Sequence, residues 1–479
     1  MSEVEFKGLT VKKEEDFSEW YTQLIQKADL ADYSVVSGCI VFKPYSYAIW
    51  EKIVQIVDKQ LKARGIKNAY FPLFIPERLL TKEKTHIEGF SPEVAWVTHA
   101  GNTKLEERLA VRPTSETIMY DSYAKWIRSW RDLPLKLNQW NSVVRWEFKH
   151  PVPFLRTREF LWNEGHTAFA TKEEAEVECN DILNMYCTIL KEYFALHSSL
   201  GKKTEKEKFA GAEYTLSCEM FMPNGKSIQG PDSHHDGQNF AKAFDITFLD
   251  KEGKKQYVWQ NTWAITTRMI GVLIAVHGDN KGLVLPPELA PTQVVIVPIL
   301  FKNKEELVMT AAKEIEKQLK GMSVYLDDRE YSPGWKFNEW ELKGVPVRIE
   351  IGPKDIENNQ VIVLRRDNNK KIAVKQKDLS KYIALLLKDI QASMLENSKE
   401  VFTKNTVKAK DFPSLVKAIK NKKLVKAFWC EKRDCEDLIK YKTDGAKILH
   451  IPLDQPKTKG PCVYCRHDGK VEVLIGKSY

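Results

Sequence analysis

Arg145 and Glu147 stand two residues apart in VVRWEFKH, so on a strand both side chains leave the same face. A guanidinium beside a carboxylate can hold an anion and a hydrogen-bond donor together. The alternative is a cross-strand ion pair on a solvated face. The company these residues keep weighs against that alternative. Arg156 and Arg158 follow a proline-bearing loop, Trp162, Glu164 and His166 alternate on the next predicted strand, and Arg268 closes NTWAITTR. A set of this size in one predicted sheet fits a pocket that takes a polyphosphate and a zwitterion side by side. Neither GxxxxGK(S/T) nor GxGxxG occurs, so the phosphates would be met by arginine side chains and a divalent cation rather than by a glycine-rich loop.

A second constellation lies near the end of the chain, where Cys430-x4-Cys435 is followed after 26 residues by Cys462-x2-Cys465. Two thiolate pairs, each set by a tight local turn, are a common way to build a closed tetrahedral zinc site. Four ordinary reduced thiols are the competing reading, though a lysine-rich segment has few ways to bury them. The other cysteines, Cys39, Cys179, Cys187 and Cys218, are scattered singly, which is not a disulfide framework.

The elements that must position these residues can be read in outline. EDFSEWYTQLIQKADL has helical spacing, and a second helix from Ser46 to about Arg64 runs into KNAYFPLFIP, a short buried strand ending in proline. From about 108 to 170, short apolar runs predict antiparallel sheet with one long loop from His150 to Arg156. A long helix is predicted from about Lys172 to Leu200, and strands resume through SIQGPDSHHDGQNFAKAFDITFLD and QYVWQNTWAITTRMIGVLIAVHG. Prolines 286, 287 and 291 mark a boundary, after which strands alternate with helices as in a compact α/β domain. A linking helix, about Leu379 to Glu396, leads to a third unit. The expected division is 1–287, 288–399 and 400–479.

A chain of 479 residues with 43% apolar and 29% charged residues is an ordinary folded protein of roughly three domains. Its net charge is +9. Residues 401–479 carry 18 Lys/Arg against 9 Asp/Glu, and the first 400 residues balance at 56 against 56, so the excess charge is confined to the third unit. No segment approaches 18 consecutive apolar residues and the start is charged throughout, which predicts a soluble, cytoplasmic protein with no membrane partner.

Arginine-held phosphates without a glycine-rich loop resemble the class II aminoacyl-tRNA synthetases. Their motif 1, a helix and a strand ending in proline at a dimer interface, resembles Ser46 to Pro76, with Pro72 or Pro76 the family proline. Motif 2, Arg-x-Glu with a loop and further arginines, resembles Arg145 to Glu164, and motif 3 resembles Thr262 to Arg268. Within that class the segments RPTSE, VVRWEFKHPVPFLRTREFLWNEGH, KTEKEKFAG, SHHDGQNF, HGDNKGLVLPP, KFNEWELKGVPVRIEIGPKD and GKSY are similar to the prolyl-tRNA synthetase family of archaeal and eukaryotic cytosolic type, over essentially the whole chain.

That resemblance implies an α+β catalytic domain on a mostly antiparallel sheet, an α/β anticodon-binding domain and a small zinc-bearing α+β domain, paired as a homodimer. It implies a catalytic role for Arg145 and Arg268, and an L-proline pocket from Thr114, Glu116, Arg145, Trp162, Glu164, His166 and His234. It implies an ATP site, with Mg²⁺, from Arg145, Glu147, Arg156, Thr157, Phe160, Gln229, Asp232, Thr266 and Arg268. It implies reading of the tRNA-Pro anticodon by Glu341, Arg348, Lys354 and Asp355, and structural Zn²⁺ on Cys430, Cys435, Cys462 and Cys465.

Three positions depart from the family pattern. Ala264 replaces a usual Gly, Asp232 replaces an expected Thr and would repel phosphates if it faced them, and CVYC replaces a shorter C-x-C. The competing functions are a synthetase-like tRNA-binding paralogue without catalysis, and a related synthetase for threonine, glycine or serine. Retention of Arg145, Glu147 and Arg268 weighs against the first, and Thr114, Glu116, Trp162 and His166 against the second. No inserted editing domain is expected between motifs 2 and 3.

Overall fold

The structure is a computed structural model and describes residues 8–86, 93–147 and 150–479. Its centre is an eleven-stranded sheet whose middle strands are Tyr214–Phe221, Ser227–Gly237, Trp259–Thr266, Glu159–Phe169 and Leu135–Val144, in that spatial order. Every pairing among them is antiparallel. Lys67–Asn68 adds a short parallel edge. Glu159–Phe169 is buried on both faces along its last eight residues, which is why it reads as an apolar run interrupted by polar groups.

The two faces of this sheet do different work. On one, the helices Phe17–Lys27, Pro44–Ala63, Lys172–Glu192 and Arg268–His277 bury Trp20, Ile53, Leu183, Trp263 and Ile270 in the largest apolar core. Thr171 starts the long helix with a capping box to Glu174. Gly165 belongs to this face: a Cβ there would lie 2.1 Å from the Trp263 ring, so only glycine lets the two strands keep that indole between them. The other face carries Trp162, Glu164 and His166 toward an open cavity.

Several expected elements differ. KNAYFPLFIP splits into Lys67–Asn68 on the central sheet and Phe74–Pro76 in a separate three-stranded sheet, with Tyr70 and Phe74 exposed rather than buried. The helix predicted to reach Leu200 stops at Glu192: Ala195 takes φ 52°, the Leu196 N–H turns back to the Leu190 carbonyl, and Ser199–Lys202 becomes a strand. RMIGVLIAVH is a helix, Arg268–His277, because a wholly buried helix shows no polar stripe and looks like a strand run. Helix Glu116–Trp126 and strand Lys371–Lys375 were not foreseen.

The α/β unit is a five-stranded sheet in the order Val324–Leu326, Val294–Pro298, Val347–Ile351, Gln360–Arg365, Lys371–Lys375, parallel at its first three strands and antiparallel beyond. The linking helix is longer than predicted, Leu379–Lys404, and runs through the expected 399/400 boundary. The third unit is not detached. Its strand Ala446–Pro452 pairs with Ser199–Lys202, so its four strands extend the catalytic sheet edge to edge. Across that seam the buried Lys203 ammonium donates to Glu219 Oε1 (2.6 Å) and to the Leu449 carbonyl (2.9 Å).

Candidate active site

The face of the sheet opposite the main core lines a cavity of about 340 Å³. All fifteen residues expected to bind proline or ATP lie on its wall: Thr114, Glu116, Arg145, Glu147, Arg156, Thr157, Phe160, Trp162, Glu164, His166, Gln229, Asp232, His234, Thr266 and Arg268. They come from the start of helix Glu116–Trp126, from the connection between Leu135–Val144 and Glu159–Phe169, from strands Glu159–Phe169, Ser227–Gly237 and Trp259–Thr266, and from the first residue of helix Arg268–His277. Alternation brings together those on strands, such as Trp162, Glu164 and His166, since residues two apart share a face. Arg145 and Glu147 do not share a strand face as expected, because the strand ends at Val144 and both lie in the connection that follows.

At one end the groups are anionic and aromatic. Glu164 is buried and accepts from the Ser115 N–H (3.0 Å), the Ser115 hydroxyl, Gln139 (3.2 Å) and Asn141 (2.6 Å), and lies 3.2 Å from His166 Nε2. Burial alone would raise its pKa, but His166 and these donors outweigh it and hold Glu164 below the usual carboxylate range. Burial opposes charge on His166, yet Glu164 and Glu116 raise its pKa above the ordinary value. The pair is therefore an internal ion pair that shapes the pocket, with Glu164 already spent. The Thr114 hydroxyl donates to Glu116, and Trp162 Nε1 donates to Asn141 Oδ1 (2.6 Å). His234 is held by Thr215 (2.8 Å) and packs on the Phe209 ring.

At the other end the charge is positive. Arg145 Nε donates to the Pro113 carbonyl (3.0 Å), which leaves its guanidinium 5.5 Å and 5.4 Å from the Phe160 and Trp162 ring centres. Arg268 Nε donates to the Leu155 carbonyl (3.3 Å), and desolvation, then the charges of Arg145 and Arg156, lower its pKa. Three guanidinium groups lining one cavity are arranged for an anion that is shared between them. Thr157 donates to the Glu159 carbonyl (2.6 Å). Asp232 does not stand as a loose charge before the phosphates: it accepts from Gln229 (2.7 Å) and lies 3.4 Å from His234 Nε2. Burial works against its ionisation, and His234, Lys203 and Gln229 outweigh it. Ala264 lines the cavity as expected from its register opposite Asp232.

Sequence reasoning missed Ser115, Gln139 and Asn141, which orient Glu164, and Thr215 and Phe209, which orient His234. Gln139 and Asn141 carried a signal: two polar residues at period two in a strand otherwise rich in apolar groups, facing Glu164 and Trp162 in register. A second cavity of about 200 Å³ adjoins the first through Arg156, Gln229 and Arg268, and Tyr479 lines it.

Away from the cavity, the four expected anticodon residues do not bond to one another. Arg348 lies in the sheet and pairs with Glu350 (2.9 Å) over the Phe337 ring (4.1 Å). Glu341 pairs with Lys281 (3.3 Å), Asp355 caps its helix by accepting from the Gly352 N–H (2.9 Å), and Lys354 is exposed. The sulfur atoms of Cys430, Cys435, Cys462 and Cys465 all lie within 4.8 Å of one another, with Cys430 and Cys465 3.7 Å apart. A tetrahedron of thiolates with bonds of ~2.3 Å has edges of ~3.8 Å, so this donor set fits zinc. Cys187 and Cys218, scattered in sequence, meet at 2.7 Å without a disulfide.

Three family profiles match the chain: the tRNA synthetase class II core domain (G, H, P, S and T) at 96–277, an anticodon binding domain at 293–385, and the prolyl-tRNA synthetase C-terminal domain at 412–479. A proline–tRNA ligase of Lachnoclostridium phytofermentans is 51% identical over 97% of this chain and 97% of its own. A putative proline–tRNA ligase of Saccharomyces cerevisiae is 46% identical over 98% of this chain and 73% of its own. The crystal structure of a prolyl-tRNA synthetase from Cryptosporidium parvum, complexed with halofuginone and AMPPNP, is similar with a TM-score of 0.95 and 47% identity, covering 99% of this chain and all of the other.

Proposed function

The chain belongs to the prolyl-tRNA synthetase family, and from that membership we propose how its own side chains divide the work. The reaction is ATP-dependent attachment of proline to tRNA through a class II catalytic core. A proline carboxylate oxygen attacks the α-phosphorus of ATP, the bond to the bridging oxygen breaks, and pyrophosphate leaves with the electron pair. A hydroxyl of the tRNA terminal adenosine then attacks the prolyl carbonyl and AMP leaves.

Glu116, braced by Thr114, receives the secondary amine of proline, and Trp162, His166 and His234 enclose the ring while Glu164 holds His166. Arg145 bridges the proline carboxylate and the α-phosphate, neutralising charge that would otherwise keep two anions apart. Phe160 and Arg268 sandwich the adenine, Glu147 and Thr157 contact the nucleotide, Thr266 the ribose, and Arg156 the γ-phosphate side. Gln229 would help position Mg²⁺ and ATP, and the cation would screen the phosphates from Asp232, to which Gln229 donates. No side chain is assigned as general base, because adenylate formation needs alignment and charge neutralisation more than proton transfer.

The labour divides among 1–287 for adenylation, 288–399 for the anticodon and 400–479 for zinc. Glu341, Arg348, Lys354 and Asp355 read the guanines of the proline anticodon: carboxylates accept from N1 and N2, cations donate to O6 and N7. This requires Arg348 and Asp355 to exchange their internal partners for bases. Zn²⁺ on the four cysteines is structural, and the enzyme works in the cytoplasm as a homodimer, for which exposed Tyr70 and Phe74 in motif 1 supply apolar area.

The observation that carries this reading is the convergence of all fifteen residues on one cavity. ATP–pyrophosphate exchange with each of the twenty amino acids tests it. Proline should support the fastest exchange, with alanine and cysteine weaker but measurable, because a hydrophobic pocket gains only about 1 to 3 kcal/mol per methylene. Faster exchange with another amino acid would remove the proline assignment of the pocket.

A further inference from the structure

Asp236 lies near the end of strand Ser227–Gly237, two residues beyond His234. Its side chain is wholly buried, and neither carboxylate oxygen meets a hydrogen-bond partner among the described residues. Thr262, on the neighbouring strand, is close enough to favour the ionised carboxyl slightly, but its buried hydroxyl makes no well-aligned hydrogen bond to it. Gln260, cross-strand partner of Gly237, leaves both amide atoms unpaired. Five buried polar atoms on two paired strands, at or next to the pocket-lining His234 and Thr262, thus lack a hydrogen-bond partner among the described residues. Buried polar groups in folded proteins are bonded, and three or four of them are what an internal water requires.

The charges around Asp236 come from each element packed there. Glu116 heads helix Glu116–Trp126, Glu164 and His166 lie on Glu159–Phe169, His234 is on its own strand, and Cys179 is on Lys172–Glu192, where burial pushes the thiol up to about 12. Glu164 and His166 face each other at 3.2 Å, and each favours the charged form of the other. Glu116, which accepts from the Thr114 hydroxyl and lines the cavity, is the carboxyl left to face one substrate ammonium. A second ionised carboxyl, unpaired and out of water, would be strongly disfavoured. Burial first, and then the charge of Glu116, raise the pKa of Asp236 well above the carboxylate range.

We propose that Asp236 is a neutral positioning acid of the amino-acid pocket: it keeps its proton, shares buried water with Gln260 and Thr262, and leaves Glu116 as the single uncompensated carboxylate offered to the substrate amine. The proposal rests on the assignment of that amine to Glu116. Two measurements on the full-length enzyme test it. In the infrared difference spectrum of wild type minus Asp236→Asn at neutral pH, a protonated-carboxyl stretching band should appear; carboxylate bands in its place would overturn the proposal.

In pyrophosphate exchange from acid to neutral pH, the proline KM of Asp236→Asn should follow the wild type within about twofold, because the amide stands in for a neutral acid. Asp236→Leu, with the same branched shape but bulkier and apolar, should raise that KM about tenfold with a smaller change in kcat. An acid limb present in wild type and absent in Asp236→Asn, or a Leu variant matching wild type, would overturn it. Glu116→Gln separates the two levels. If it leaves the proline KM unchanged, the amine assignment has failed, while the infrared result still judges Asp236.

Discussion

At the scale of single residues, the Glu164–His166 pair gives the pocket a pH signature. The folded pKa of Glu164 lies below its ordinary 4.5, so its contribution is present above that value and is lost as pH falls through the depressed one. The folded pKa of His166 lies above its ordinary 6.5, so its contribution is full below that value and is lost as pH rises through the raised one. The stability difference between wild type and His166→Gln should therefore be greatest between about pH 4.5 and 6.5 and shrink on both sides. Denaturant melts at stepped pH read this directly; a difference independent of pH would mean that the imidazole acts through packing alone. Gly165→Ala should lower stability by about 1 to 3 kcal/mol, since its Cβ would enter the Trp263 ring and both neighbours belong to strands that cannot easily part. An unchanged melting curve would show that the two strands do part.

The secondary elements explain which parts of the chain were legible from residue order. Strands such as Leu135–Val144 and Glu159–Phe169, and the alternation of the α/β unit, announced themselves through period and turn residues. So did the polar wall of the cavity, because Trp162, Glu164 and His166 at period two in an apolar strand have few other uses, whereas Arg145, Arg156 and Arg268 lie just outside the strands. Helix Arg268–His277 did not, since burial on all sides erases its polar face, and neither did the early end of Lys172–Glu192, which depends on a left-handed Ala195 rather than on a proline or glycine. Ser115 was illegible for a different reason: its value lies in its bonds to Glu164, which only the fold reveals, whereas Gln139 and Asn141 left a period-two signal whose partner register alone identifies.

The seam between the catalytic sheet and the cysteine-bearing unit was also beyond sequence, because strand Ser199–Lys202 straddles the end of a predicted helix and the start of a predicted connector. Its energetics can be tested. Lys203→Met removes the cation from Glu219 and should cost about 3 to 5 kcal/mol, as expected when one partner of a buried pair is deleted. Equal stability would mean that the seam does not rely on the ion pair. Stripping metal with a chelator should lower the melting temperature and open the third unit first, because the four cysteines bracket strands that continue into the catalytic sheet. Zinc analysis of the purified protein at about one atom per chain is the matching expectation; an unaltered melt with no bound metal would return the cysteines to ordinary thiols.

On the scale of the whole molecule, charge and recognition are separated. The +9 resides in the third unit, whereas the residues assigned to the anticodon sit in an α/β unit with 19 basic and 17 acidic side chains over 291–400. Raising salt should therefore weaken general RNA attraction more than discrimination between anticodons; equal loss of both in a titration with cognate and non-cognate tRNA would place the specificity in the basic unit. The central claim is that one cavity carries adenylation while a distant surface carries tRNA reading. It is tested most directly by measuring single-turnover prolyl-adenylate formation and tRNA-Pro affinity in the same Arg145→Ala preparation. The account predicts that adenylate formation falls by at least about a thousandfold, the scale for losing a preorganised charge at the reacting centre, while tRNA affinity stays within about threefold. Parallel loss of both, or adenylation that survives, would contradict it.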